Sequence, residues 1–326
     1  MRPLTFQSLR LMADGEFHSG VAIARQLGVS RASVWLALNE AQAAGVAVHR
    51  VHGRGYRLAE RLDWLDPDKI CREAATFGVT VEVMDTCEST NTTLLAQAAA
   101  GAPCGRALVA EWQTAGRGRL GRAWHAGLAS ALTFSLLWRF RQGAAGLAGL
   151  SLAVGVGVAR GLAAVGVHAG LKWPNDLLWR DAKLGGILIE MHGDMLGPSA
   201  AVIGVGLNVR VPEAERARIG QPVADLAEAA PAPVRRDDVL VAVLRETSAA
   251  AARFAQEGFA VFRQDWANLH AHGGRHVRMS LPDGSHVDGV AEGVDEMGAL
   301  LVRGDGGMRR YMSGDVSLRA IHDPGR

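Results

Sequence analysis

The chain has 326 residues, 48% of them apolar and 21% charged, and its 35 basic and 33 acidic side chains leave a formal charge of +2. That balance excludes a disordered chain, which is charge-rich and apolar-poor, and a chain that coats nucleic acid by bulk charge. Single cores stop growing near this length, so two or three domains are expected. Cys71, Cys87 and Cys104 form no C-x-x-C pair and read as reduced cytosolic thiols. No apolar run stands behind Arg2, so no signal peptide is expected. The longest uncharged apolar stretch, 143–159, is short and rich in Gly and Ala. It reads as a helix buried against a sheet rather than a membrane span, and the protein as cytoplasmic with no membrane partner.

In chain order, an apolar-periodic helix over 3–13 ends at Asp14-Gly15. Ser19 is placed to cap a helix over 20–27, and Gly28-Val29-Ser30 makes a short turn into a third helix over 31–44. Helix, tight turn, helix is the spacing of a helix-turn-helix. Strands over 46–51 and 56–58 around His52-Gly53-Arg54-Gly55 add a wing. Residues 1–60 carry seven Arg against four acids, so the basic excess is local and suits phosphate contacts. The residues predicted to meet DNA are Arg31, Ser33 and Trp35 on the third helix and Arg54 on the wing. Of the outward residues on that helix only Arg31 and Ser33 can hydrogen-bond a base edge, because Trp35-Leu36-Ala37 is apolar. A protein-docking module is the alternative reading of this unit.

A linker is expected over 61–69. Strands are predicted over 79–84, 107–111, 132–138, 177–179, 187–191 and 201–205, and helices over 90–100, 144–165 and 237–256. From 274 the chain turns to short strands broken by Pro282-Asp283-Gly284, Glu296-Met297-Gly298 and 304–307. The expected fold is α+β: a winged helix-turn-helix (1–62), a central mixed α/β domain with one sheet (66–268) and a small SH3-like β-barrel (274–323).

The most informative segment runs from Gln113 to Trp124 and contains Gly116-Arg117-Gly118-Arg119-Leu120-Gly121-Arg122. Its G-x-G-x-x-G pattern is not a dinucleotide loop: a strand follows it, and Arg139 and Arg141 stand about where an acid is required. Glycines spaced by arginines instead make a mobile loop able to wrap phosphate or carboxylate oxygens. A solvated basic loop is the bland alternative. A second segment, Lys172-Trp173-Pro174-Asn175-Asp176 followed by Lys183-Leu184-Gly185-Gly186, reads as a hairpin. Pairing Trp179 with Lys183 across a turn at Arg180-Asp181-Ala182 sets Asp176 opposite Gly186, so a carboxylate, an ammonium and bare backbone share one area. His270, His272 and His276 lack an acid or Cys to complete a metal set and read as a polar interdomain loop. Cys87 reads as a small buried thiol, and Trp64, Trp138 and Trp266 as core or interface. No G-x-S-x-G or Walker A sequence is present.

Ser89-Thr90-Asn91, the Gly-Arg loop, Lys172 to Asp176 and Lys183 to Gly186, in this order behind a winged helix, resemble the biotin–protein ligases, and among them the bifunctional subclass that also represses transcription. The resemblance implies a two-step reaction. Biotin and ATP (with Mg²⁺) give biotinyl-5′-AMP and pyrophosphate, and the acyl group then passes to a lysine of the biotin acceptor domain of a carboxylase. It implies that Ser89, Thr90, Asn91 and Gln113 line the biotin site, that Arg117, Gly118 and Arg119 close over biotin and adenylate, that Lys183 meets the biotin carboxylate and that Trp124 packs near the adenine. Lys183, Arg119 and Asp176 are the expected catalytic residues, with Asp176 orienting or deprotonating the incoming lysine, and no resident metal site is expected. A homodimer on a DNA operator is implied as well. Leu120 departs from the family pattern, which often has a basic residue there. A lipoate or octanoate ligase of related fold and a non-catalytic biotin-sensing transcription factor are the rival readings.

Overall fold

In the computed structural model the described residues are 1–193, 197–217, 219–281, 285–312 and 317–320. The turn expected at Pro282-Asp283-Gly284 and the boundary at residue 323 lie outside them. Helices α1 (Pro3–Leu11), α2 (Gly20–Leu27) and α3 (Arg31–Ala43) precede a hairpin of β1 (Val48–Val51) and β2 (Gly55–Leu58). Ser19 and Ser30 cap α2 and α3, accepting from Ala22 N and Ser33 N, each at 3.1 Å. Phe6, Leu9, Ile23, Val34 and Leu38 converge in one core, which also takes in Leu128 and Ala129 from far along the chain.

The linker is shorter than expected. Asp66 accepts from Lys69 N at 3.1 Å and Pro67 stands at the first helical position, so Pro67 to Lys69 already belong to α4 (Pro67–Ala75). What remains is tied down. Leu65 N donates to Glu111 Oε1 (2.7 Å), and Asp63 Oδ2 accepts from Arg236 N (2.9 Å). The Arg236 side chain is buried, paired with Glu111 Oε2 at 2.7 Å and donating to the carbonyls of Asp63 (2.7 Å) and Ala131 (2.8 Å).

The elements that follow are β3 (Thr80–Cys87), α5 (Thr90–Ala99), β4 (Arg106–Gln113), β5 (Ala131–Phe140), α6 (Leu150–Ala164), β6 (Gly170–Lys172), β7 (Asp176–Trp179), β8 (Ala182–Gly193), β9 (Ser199–Asn208), α7 (Glu213–Arg216), α8 (Leu226–Ala229), α9 (Arg236–Glu257) and α10 (Arg263–Leu269). Seven strands form one mixed sheet in the order β3-β4-β5-β9-β8-β7-β6, with only β3 and β4 parallel. Side-chain alternation gives the sheet two faces. Ala201, Ile203, Val205 and Leu207 of β9 join the main core with α6 and α9, whereas Ala200 and Val202 pack with Leu94 and Ala98 of α5. The Gly- and Ala-rich run is a helix against this sheet. A Cβ at Gly161 would lie 2.5 Å from Val243 Cα of α9, so small residues there permit the close approach of two helices. Among the described residues no helix is long and apolar enough to cross a membrane.

Two expectations are corrected in detail. The helix over 144–165 is broken: a 3-10 turn spans Ala144–Leu147, Gly149 takes φ 80°, and α6 starts at Leu150. A Cβ at Gly149 would meet the Phe259 ring at 2.6 Å, so both the space and the dihedral call for glycine. In the hairpin Asp176 does pair with Gly186, but Trp179 pairs with Ala182 rather than Lys183, and a bulge at the Leu177/Leu178 step restores the register. The turn has two residues, Arg180 (φ 49°) and Asp181 (φ 65°), both left-handed, which matches the right-handed twist of the strands.

The C-terminal strands β10 (His276–Ser280), β11 (His286–Val294), β12 (Leu300–Gly304), β13 (Gly307–Tyr311) and β14 (Ser317–Ala320) form an antiparallel sheet in the order β13-β12-β11-β10-β14. Trp173 Nε1 donates to Gly298 O at 3.0 Å, tying this sheet to the central one.

Glu111→Gln leaves the buried Arg236 guanidinium without its counter-charge, a change that typically costs about 3 kcal/mol. A fall of that size in urea unfolding free energy is expected, with faster proteolysis between β2 and α4 as the linker loses its anchor.

Candidate active site

The face of the sheet opposite α6 and α9 is bare beside α5, and there a cleft of about 210 Å³ opens. Gly204 and Gly206, alternate residues of β9, lie on that face and are covered by side chains of the cleft wall. A Cβ at Gly204 would lie 2.3 Å from Asn91 Oδ1, and one at Gly206 2.7 Å from the Trp124 ring. Glycine therefore lets an amide and an indole rest on the strand itself.

One end of the cleft is polar. Ser89 caps α5 and is buried with Thr90 and Asn91. Thr90 donates to Gln113 Oε1 from both its backbone N (2.7 Å) and Oγ1 (3.1 Å). Ser135 Oγ sits between Thr90 Oγ1 (2.8 Å) and Asn91 Oδ1 (2.5 Å). Asn91 Nδ2 donates to Glu190 Oε2 at 2.9 Å and to Leu188 O at 3.2 Å. A dense set of hydroxyls and amides is thus oriented before any ligand arrives.

The Gly-Arg loop arches over the cleft, its neck closed by Gly118 N to Arg122 O (2.7 Å), Trp124 N to Gly116 O (2.8 Å) and a bridge between Arg117 and Ala123. Arg117 donates to both oxygens of Glu190 (2.8 and 2.6 Å), which latches the loop to β8. Arg119 donates to Asn175 Oδ1 at 3.2 Å, and Asn175 Nδ2 in turn donates to Ile187 O at 2.8 Å. Burial pulls the Arg119 guanidinium below its ordinary pKa, Asp176 opposing it. Leu120 sits at the loop tip in the left-handed region (φ 55°) and is 78% exposed. The Trp124 indole N–H is buried with no acceptor among the described residues.

The other end is cationic. Lys183 Nζ lies 2.7 Å from Asp176 Oδ1, and Lys172 Nζ lies 3.7 Å from Oδ2. The backbone of Lys183 is held as well: its N donates to Pro222 O (2.9 Å) and its O accepts from Ala224 N (3.0 Å) and Asn208 Nδ2 (3.1 Å). The 211–225 segment supplying Pro222 and Ala224 is organised by Arg216, which donates to the carbonyls of Val211 (3.2 Å) and Val223 (2.7 Å) and pairs with Asp225 (2.6 Å).

Ser89, Thr90, Asn91, Gln113, Arg117, Gly118, Arg119, Trp124, Asp176 and Lys183 all line this one cleft. Glu190, Ser135 and Arg216 went unnoticed in the sequence, and Asn175 was noticed there only as a member of the 172–176 segment. Glu190 carried a signal, an acid next to the apolar run 187–189, but its partners come from two distant segments. The DNA-directed residues lie elsewhere. Arg31 and Trp35 are exposed on α3, Ser33 Oγ is engaged by Ser30 Oγ (2.9 Å), and Arg54 stacks over the Phe17 ring at 4.3 Å.

The remaining sequence candidates are structural. Burial pushes the Cys87 thiol up to about 11, so it stays protonated and unreactive at neutral pH. Trp266 is 1% exposed. His270 stacks on it at 4.4 Å and His272 is buried nearby in the connection to β10, while His276 is exposed. Among the described residues no group of three His, Cys, Asp or Glu side chains could hold a metal ion.

Residues 83–208 match the biotin/lipoate A/B protein ligase family, residues 272–319 the biotin protein ligase C-terminal domain and residues 6–57 an HTH domain. The chain belongs to the biotin/lipoate A/B protein ligase family. Over nearly its whole length it is similar to the bifunctional ligase/repressor BirA of Escherichia coli, at 36% identity across 96% of this chain and 96% of that protein, and to its namesake in Salmonella typhimurium, at 37% across 98% of each. A biotin protein ligase from Aquifex aeolicus solved with biotin and ATP superposes with a TM-score of 0.64 at 28% identity, covering 74% of this chain and 99% of that one.

Burial pushes His270 and His272 down to about 4, each from an ordinary value near 6.5, and the positive charges of Lys172 and Arg275 add to the effect at His272. The folded protein keeps both rings neutral while the unfolded chain takes up protons below 6.5, so stability held above that pH is lost as pH falls toward 4. Each ring accounts for about 2 kcal/mol by pH 5. Urea midpoints measured from pH 7 to 5 should fall accordingly, and His272→Gln should flatten the dependence.

Proposed function

We propose that this chain is a biotin–protein ligase that forms biotinyl-5′-AMP from biotin and ATP, releasing pyrophosphate, and transfers the biotinyl group to a lysine of a biotin acceptor domain. Its winged helix makes it a biotin-responsive transcriptional repressor as well. The observation that carries the ligase reading is the convergence of a polar pocket (Ser89 to Asn91, Gln113) and a cationic end (Arg119, Lys183) in one cleft of a chain that aligns end to end with ligase/repressors. The polar end favours biotin over lipoate, because a ureido ring offers donors and acceptors that a lipoyl disulfide lacks.

In this reading the ureido head lies among Ser89, Thr90, Asn91 and Gln113, and the valeryl chain runs through the cleft toward Lys183. The carboxylate reaches Lys183, which leaves Asp176 to meet it. Attack of the carboxylate on the α-phosphorus breaks the bond to the pyrophosphate leaving group. Lys183 and Arg119 place fixed positive charge where the pentavalent transition state gathers negative charge. Trp124 stacks by the adenine. The loop latched by Arg117 and Glu190 covers the mixed anhydride and excludes water from it. When the acceptor lysine arrives neutral, its nitrogen attacks the acyl carbon and AMP leaves, with Asp176, freed of Lys183, orienting the amine or receiving its proton.

Mg²⁺ does not fit a protein-built site here. Asp176 faces two lysines and Glu190 is taken by Arg117 and Asn91, so the carboxylates of the cleft are already neutralised, and no step is routed through a metal. The three matched segments support a division into a DNA-binding unit (1–62), a catalytic unit (66–268) and a C-terminal unit (274–323). We place the protein in the cytoplasm, as a homodimer whose two winged helices, Arg31, Ser33, Trp35 and Arg54 included, engage an operator.

Labelled biotin, ATP and an acceptor domain test the ligase. Lys183→Ala should lower adenylate formation about 100-fold, and Arg119→Ala should form adenylate but release it to solution. Parental rates of formation and retention in both variants would sink the reading, as would pyrophosphate release with lipoate but not with biotin.

A further inference from the structure

The outward surface of α3 is apolar where a reader of DNA usually carries hydrogen-bonding groups. Trp35 and Leu36 are 44% and 49% exposed, and Ala32 beside them is exposed too. The nearby polar groups are engaged: Ser33 Oγ lies 2.9 Å from Ser30 Oγ, and Asn39 Oδ1 accepts from Arg50 at 2.9 Å. Large apolar side chains clustered in water mark a contact surface.

The surroundings name the partner. Arg31 opens the helix in solvent, and the Arg50 guanidinium stands 5.9 Å from the Trp35 ring and 5.3 Å from the Tyr56 ring. Arg54 extends the positive rim along the wing. Of the unit's four acids Glu40 is already neutralised by Arg2, and Asp14 is engaged by His18 Nε2 at 2.9 Å. A second copy of this face would set arginine against arginine, which opposes self-association. A duplex instead brings phosphates to the arginines, and the apolar group that its major groove offers is the C5-methyl of thymine.

We infer that α3 reads thymine methyl groups: Trp35, Leu36 and Ala32 pack on C5-methyls of a thymine-rich half-site while Arg31, Arg50 and Arg54 hold the flanking phosphates. The inference rests on the repressor reading above and gives it a sequence preference. Thymine at the contacted steps is then selected by shape and apolar contact, with hydrogen bonds in a minor role.

The full chain, incubated with biotin and ATP, is used to select duplexes from a random pool, and the selected duplexes are resynthesised with deoxyuridine for thymidine. That exchange removes a methyl group and no hydrogen-bonding atom. Binding should weaken about fourfold for each contacted methyl, the ratio one buried methyl-sized group is worth. The thymine-to-uracil ratio should shrink toward one in Trp35→Ala and, separately, in Leu36→Ala. Equal binding of the two duplexes would overturn the methyl reading and leave the repressor reading standing. Failure to select any duplex would overturn both and point to a docking surface for protein.

Discussion

Lys183 and Asp176 stand 2.7 Å apart on adjacent strands, and the cleft depends on that pairing. Two lysines and two arginines directed into a half-buried space repel one another by up to about 4 kcal/mol per pair at contact range. Each is therefore held by a neighbour: Asp176 stands between Lys172 and Lys183, Asn175 accepts from Arg119, and Glu190 fastens Arg117. A site arranged this way is cationic, yet each of its charges is held by a partner within the protein. An entering carboxylate or phosphate replaces a fixed partner rather than creating order from a flexible surface, which is the sense in which the charges are preorganised.

The same strands connect the cleft to the winged helix. β4 carries Glu111, which anchors the linker through Leu65 and Arg236, and two residues later Gln113, which accepts from Thr90 in the cleft. Beyond Trp124 the chain runs directly to Leu128 and Ala129, which are buried in the core of the winged helix. Arg10 of α1 pairs with Asp85 at the end of β3. The chain that forms the loop over the cleft thus continues within four residues into the core of the winged helix, while β4 carries both an anchor of the linker and a residue of the cleft.

Much of the architecture was legible because it rests on local rules. Ser19, Ser30 and Gly28 announced their helix ends, and short β-rich apolar runs marked six strands of the central sheet. The short β6 and the break at Gly149 were not legible. A three-residue strand carries no periodicity, and the break depends on Phe259, more than a hundred residues away. The hairpin shows the limit at finer scale. The pairing of Asp176 with Gly186 could be read from spacing, but the bulge and the two-residue turn could not, since a bulge leaves no mark in the spacing and Arg180 is not a usual left-handed residue.

By itself the sequence determined that a cationic site would be built from Gly-Arg repeats and lysines beside glycines, which carry their chemistry in composition and short spacing, while Ser89-Thr90-Asn91 was marked by resemblance. It also determined that the basic unit lies at the N-terminus. Only the tertiary structure decided which carboxylate restrains which cation, that Gly204 and Gly206 clear a floor for Asn91 and Trp124, and that Glu111 and Arg236 fasten the linker from 125 residues apart. Those contacts join segments whose separation along the chain bears no relation to their distance in space, and an ion pair or a close approach exists only once the sheet has brought its strands together.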